Sequence, residues 1–389
     1  MRVDRVVLIA NPSPDVYGSD LQMLESLTAL HDAGYRVVVA MPHDGALVPK
    51  IHERGGEVVF IDFPVLRRSN QSIPSFLALL WSMVACLPRL VRCIRRIRPA
   101  AVYVNTVTIP WWLLASRLSR VPTVAHLHEA ETTDSRLVRR ALISPLRLAH
   151  AVIVISRSTL DAMLGADPKL ERTANLIYNG VPQPPVTPHP ARRVAPLHLI
   201  VVGRLSPRKA PHLALEALAI LLGKGYELTL ELAGTAFPGY EWYTDQLEKR
   251  AAQSDLAGRV TFAGYSSPIW PSLERADIMV APSLREPFGN AVVEAQYSLR
   301  PVVATAALGH TESITDGVTG LLVPAEDVPA MAAAIACLVD EPDLAESLAV
   351  TARSEAIRRF SVERYCAEVV ALFDRLTGTV SAGPADREA

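Results

Sequence analysis

Short apolar runs alternate with stretches of helical periodicity along most of the chain. Residues 5–10, 36–41, 57–61, 101–105, 123–127 and 151–155 are runs of β-branched and other apolar residues. Their near-continuous hydrophobicity predicts strands buried on both faces of a parallel sheet. Between the first two lies a helical pattern over 19–33, closed by Gly34, with Ser19 and Gln22 placed as an N-terminal capping box. Residues 178–196 interrupt the rhythm with Pro182, Pro184, Pro185, Pro188, Pro190 and Pro196, the signature of a linker. The alternation then restarts with strands at 197–202, 228–233, 259–263, 276–281, 301–304 and 320–323, and with a helix over 211–222 ending at Gly223. A last helical pattern covers 362–376, and the small, polar residues past it predict a disordered tail over 378–389.

This pattern predicts an α/β protein of two doubly wound, Rossmann-like parallel-sheet domains, 1–185 and 196–360, facing each other across a cleft. Open parallel sheets bind ligands beyond the carboxyl ends of their strands, so each domain offers one ligand edge.

The chain has 389 residues, half of them hydrophobic, enough for two cores. Lys and Arg number 39 against 40 Asp and Glu, a net charge of −1, which argues against a nucleic-acid partner. The balance hides an asymmetry. Residues 1–190 hold 21 basic against 15 acidic side chains, and between Asp62 and Glu129 there are nine arginines and no acid. Such a block points to an anionic partner. The apolar stretch 76–88 runs into Arg89, Arg92, Arg95, Arg96 and Arg98. It is too short to span a bilayer but suits an anionic membrane surface, with Trp111 and Trp112 as a second contact. The four cysteines form no Cys-x-x-Cys pair and read as reduced thiols of a cytoplasmic protein. Asp4 within the short apolar start, residues 1–10, argues against a signal peptide.

Four segments carry candidate chemistry. The eleven residues from Arg285 to Ala295 leave a strand and open a helix, with Gly289 and Asn290 at its start, where free N–H groups and the helix dipole suit a phosphate. Glu286 on the loop can accept hydrogen bonds from sugar hydroxyls, and Glu294, one turn into the helix, from ribose hydroxyls. The segment 203–209 follows the first strand of the second domain, and its Arg204 and Lys209 can clamp a diphosphate. In 123–129, His126 reads as a packed core residue and His128, at the strand end, as a ligand-facing one. Gly18 and Ser19 follow the first strand at a helix start that favours an anion. The chain has no Asp-x-Asp triplet, no Walker loop and no His-x-x-x-His pair, so no metal site is expected.

Together these segments resemble family 4 of the retaining GT-B glycosyltransferases (glycosyl transferases group 1). The likeness extends over nearly the whole chain, including Tyr178-Asn179-Gly180-Val181, the Arg204/Lys209 pair, the Glu286/Glu294 pair and Gly320-Leu321-Leu322-Val323. The resemblance implies a nucleotide diphosphate sugar, UDP- or GDP-linked, as substrate, no cofactor, and a glycan or lipid-linked acceptor held by the first domain. It implies that Arg204 and Lys209 bind the diphosphate and that Glu286 contacts the transferred sugar. Phe288, Gly289, Asn290 and Ala291 would present backbone amides, Glu294 would hold the ribose, and His128 would approach the sugar. Gly18 and Ser19 would lie near the phosphate and acceptor, and helix 361–377 would pack back on the first domain. The expected setting is polysaccharide or glycolipid synthesis on the inner face of the plasma membrane. A sugar-nucleotide epimerase and a non-catalytic sugar-nucleotide-binding protein are the alternatives. One departure stands out: where many relatives have paired glycines, this chain has Gly309-His310-Thr311-Glu312.

Overall fold

The computed structural model describes residues 5–16, 18–66, 73–129, 135–237 and 239–378, the side chains of 73–81 excepted. The chain divides into two compact units, residues 1–180 with 362–389, and residues 181–361. The disordered-tail expectation falls, from residue 379 on, outside the described residues.

The first unit is built on seven parallel strands: β1 (Val6–Ala10), β2 (Arg36–Met41), β3 (Glu57–Phe60), β4 (Ala101–Asn105), β5 (Thr123–Leu127), β6 (Ala151–Val154) and β7 (Ala174–Leu176). Their order is β3-β2-β1-β4-β5-β6-β7. β1 lies centrally, pairing with β2 on one side and β4 on the other. Strands buried on both faces need apolar residues at every position, and β1, β4 and β5 are buried throughout. One face of the sheet packs on Met23, Leu24, Leu27 and Leu30 of the helix Gly18–Asp32, together with Tyr365, Val369, Leu372 and Phe373 of the helix Val362–Thr377. The other face packs on Leu90, Ile94, Trp111, Trp112 and Met163.

Two expectations need correction here. Trp111 and Trp112 are core residues, 2% and 0% exposed, and Trp112 meets Phe63 edge to face at 5.5 Å. They are therefore not a membrane contact. The capping box also fails: the first helix already includes Gly18, so Ser19 lies inside it, and Gln22 is a buried residue of the same helix. The apolar stretch before the arginines is part of one long helix, Ile73–Ile97, that continues through Pro88. No helix among the described residues is long and apolar enough to cross a membrane.

The second unit carries six parallel strands: β8 (Leu197–Val202), β9 (Leu228–Ala233), β10 (Val260–Gly264), β11 (Ile278–Ala281), β12 (Val302–Thr305) and β13 (Leu321–Val323), in the order β10-β9-β8-β11-β12-β13. β11 starts later than the apolar pattern suggests because Ala276 caps the end of the helix Trp270–Arg275. The Pro-rich segment before β8 is held to this unit: Arg193 donates to the carbonyls of Leu338 and Val339, and Arg300 to that of His189. In both units the strand order reverses beside the first strand, β1/β4 and β8/β11. That is where doubly wound sheets open a crevice.

Candidate active site

In the second unit, the loops after β8 and β11 line one pocket at the reversal point. Its walls include Gly203, Arg204, Lys209, Glu286, Gly289 and His310. Glycine is required at several places by contact. A Cβ on Gly234, just after β9, would sit 1.9 Å from the carbonyl oxygen of Gly203, so these two loops meet backbone to backbone. A Cβ on Gly309 would fall 2.5 Å from Cα of Phe288. The Gly309 N–H donates to the Glu286 carbonyl at 2.8 Å and ties the loop after β12 to the loop after β11.

Gly289 takes a left-handed conformation, φ 97°, as the cap of the helix Asn290–Tyr297. Its missing side chain leaves the helix start open, because a Cβ there would lie 3.0 Å from Cδ2 of His310. Phe288 is buried and stacks edge to face on Phe360 at 5.3 Å, so this residue offers only backbone to a ligand. The Arg204 guanidinium lies 5.2 Å from the centre of the Phe237 ring.

Lys209 Nζ forms an ion pair with Glu286 Oε2. Burial works to raise Glu286, but the charge and hydrogen bond of Lys209, with His310 and Arg208, outweigh it and hold the carboxyl below its usual range. Glu286 is thus held as a carboxylate. Glu294 behaves oppositely: burial lifts it to about 7, against the pull of Lys209. His310 is buried, donates from Nδ1 to the Thr305 carbonyl at 3.0 Å, and is pushed down by that burial.

In the first unit, His128 lies one residue past β5. Its ring sits 4.0 Å from that of His126, which is fully buried and bonded to the Tyr103 hydroxyl. Burial pushes His128 down to about 3, so the ring is neutral. His128 Nε2 bonds Asn105 Oδ1 at 2.7 Å, and Asn105 bonds Asn11 at 2.7 Å, both at strand ends. Gly18 and Ser19 open the adjacent helix, and the Ser19 carbonyl accepts from Asn105 at 3.4 Å. Tyr17, beside them, lies outside the described residues.

The structure thus brings Lys209, Glu286, Gly289 and Ala291 to one pocket wall, with Arg204 on the same rim. Glu294 follows one turn on. His128, Gly18 and Ser19 group at the carboxyl edge of the first unit's sheet. Sequence reading missed Asn11, Asn105 and Gly234 and gave Asp20 no role of its own. Lone polar residues at strand ends carry no motif, and the signal for Gly234 is its place directly after an apolar run. Among the described residues no group of three or more His, Cys, Asp or Glu side chains could hold a metal ion.

Comparison with known proteins follows the same division. Residues 18–183 match the family described as Glycosyltransferase Family 4, and residues 190–355 match Glycosyl transferases group 1. The alpha-D-kanosaminyltransferase of Streptomyces kanamyceticus is 29% identical over 64% of this chain and 69% of its own length. The D-inositol 3-phosphate glycosyltransferase of Kribbella flavida is 32% identical over 47% of this chain and 45% of its own. The chain spans about half the length of most of the curated relatives it matches. Among solved structures, Anabaena HepE in complex with UDP and glucose superposes with a TM-score of 0.81 at 24% identity, covering 95% of this chain and 99% of that one. This likeness establishes a shared two-Rossmann fold.

Proposed function

We infer, for a chain that belongs by homology to the GT-B glycosyltransferases of family 4 and group 1, that it moves a hexosyl group from a nucleotide diphosphate sugar to a glycan or lipid-linked acceptor. The observation that carries this reading is one pocket wall in the second unit, where Arg204, Lys209, Glu286 and an open helix start meet, with Glu294 one turn into that helix. Arg204 and Lys209 neutralise the diphosphate, and the N–H groups of Gly289, Asn290 and Ala291 receive phosphate oxygens. Glu286 accepts from hydroxyls of the sugar and Glu294 from the ribose. The first unit serves the acceptor, with Gly18 and Ser19 at its edge and His128 touching the sugar.

Transfer proceeds with retention and without a metal. The C1–O bond to the diphosphate breaks as the acceptor oxygen bonds C1 on the same face. The acceptor's proton passes to the departing phosphate oxygen. Arg204, Lys209 and the helix start stabilise the charge that develops there. The base is uracil or guanine, and UDP and glucose appear with the Anabaena relative.

The test is thermal stability with UDP, GDP, ADP and dTDP, in wild type and Glu294→Ala. A nucleotide at 100 times its Kd stabilises by about 2.7 kcal/mol. Stabilisation of wild type alone by one diphosphate supports the assignment; none by any of them refutes the site. Epimerised free sugar nucleotide in the absence of acceptor would favour the epimerase. Binding with no product under any acceptor would favour a sugar-nucleotide-binding protein.

A second reading concerns the membrane. The helix Ile73–Ile97 exposes Val84, at 67%, beside Arg89, Arg92 and Arg95, in the acid-free block. This face binds anionic lipid peripherally, on the cytoplasmic side. Co-sedimentation at low salt that does not depend on anionic lipid would refute it.

A further inference from the structure

His128 stands at the end of a buried chain of side chains whose direction can be worked out. Asp20 is 3% exposed and Asn11 and Asn105 are both 0% exposed. A carboxylate only accepts hydrogen bonds, and so does a backbone carbonyl. Asn11 Nδ2 lies 3.0 Å from Asp20 Oδ1 and 2.7 Å from the Ser13 carbonyl, so both of its protons are committed to acceptors. The Asn11 oxygen must then face Asn105, whose Nδ2 reaches it at 2.7 Å and the Ser19 carbonyl at 3.4 Å. The Asn105 oxygen is left to face His128 Nε2 at 2.7 Å, and it requires a proton there. A neutral imidazole has one proton, so Nδ1 is bare. Among the described residues Nδ1 has no hydrogen-bond partner.

We propose that Asn105, held by Asn11 and Asp20, is a positioning residue that fixes His128 as the Nε2–H tautomer and keeps its Nδ1 as a hydrogen-bond acceptor for a hydroxyl of the substrate. The relay joins the ends of β1, β4 and β5 to the first helix, across the reversal point of the first unit's sheet. The inference rests on the reading that His128 touches substrate; the relay itself does not. Among the described residues the titratable groups around the ring are His126, stacked on it, Glu129, whose Oε2 accepts from the His128 backbone N–H at 3.1 Å, and Asp20 at the far end of the relay. None of these hydrogen-bonds the ring nitrogens, so burial keeps the ring neutral and the Asn105 oxygen sets which nitrogen carries the proton.

The experiment is nitrogen-15 NMR of the histidines in the whole protein, with His128 assigned by its loss in His128→Gln. Wild type should show one neutral tautomer, Nε2 protonated and Nδ1 bare, from about pH 5.5 to about pH 8. A protonated Nδ1, or an imidazolium in that range, would overturn the proposal without any variant. Asn105→Asp places a carboxylate on Nε2 and should convert His128 to imidazolium near pH 6. A ring that stays neutral there would overturn it too. With UDP-glucose as the sugar donor, Asn105→Asp should lower kcat about ten-fold or more near pH 6, recovering as the ring loses its proton at higher pH. Loss that is equal at every pH would mean a merely structural role and refute the positioning claim. The expected tautomer in a wild type that turns over no sugar nucleotide would support the relay and count against the transferase reading.

Discussion

Glu294→Gln should stabilise the free protein in alkaline solution while removing its grip on nucleotides. Burial raises this carboxyl from 4.5 to about 7 in the folded chain. Below the unfolded value both states are protonated and nothing is lost. Between about 4.5 and 7 the unfolded chain ionises while the native one keeps its proton, so stability falls as pH rises. At 1.36 kcal/mol per tenfold change, the contribution lost between about pH 5 and about pH 8 is roughly 2.5 kcal/mol. Glutamine fills the same space and cannot ionise. The assay is urea unfolding of both proteins across that range, without ligand. The difference between them should shift toward the variant by about 2 kcal/mol as pH rises. A difference that stays constant, or a variant less stable than wild type near pH 8, would refute the idea that Glu294 is held protonated by burial.

Three further outcomes follow from contacts. Gly234→Ala puts a methyl group on the Gly203 carbonyl and should destabilise by more than about 3 kcal/mol in unfolding experiments, because backbone must move. Glu286→Gln breaks the pairing with Lys209 and should lower kcat about a hundred-fold while nucleoside diphosphate binding, followed by calorimetry, is retained. Trp112→Ala empties a fully buried site beside Phe63 and should cost about 3–5 kcal/mol of stability in denaturant titrations.

The strands were legible because burial on both faces leaves a signal within a single short run. β2, β4, β5, β8 and β9 begin and end where the apolar runs do. β7 escaped notice: it has three residues, half-buried, with Asn175 at its centre. Trp111 and Trp112 show the limit of reading composition, since an amphipathic indole beside an arginine block suits a bilayer or a core equally well. Only the packing of Phe63 and the helix Ile73–Ile97 over them decides it. The segment 285–295 could be read as a ligand loop because helix start, glycine and carboxylates are consecutive. The Asn11–Asn105 contact could not, for its partners are 94 residues apart and meet only when β4 docks beside β1.

The first unit draws its core from both ends of the chain, since the helix Val362–Thr377 covers Met23, Leu27 and Leu30 from the far end of the sequence. On the ribosome, synthesis runs from one end to the other. The first unit's sheet must therefore wait, with one oily face only partly covered, while the ribosome makes the whole of residues 181–361, and that interval is when it is most exposed to aggregation and to chaperones. The second unit has no such delay, because every strand it needs is contiguous. A chain cut before residue 362 would hold one finished half and one unfinished one, because the half begun first still lacks the helix Val362–Thr377.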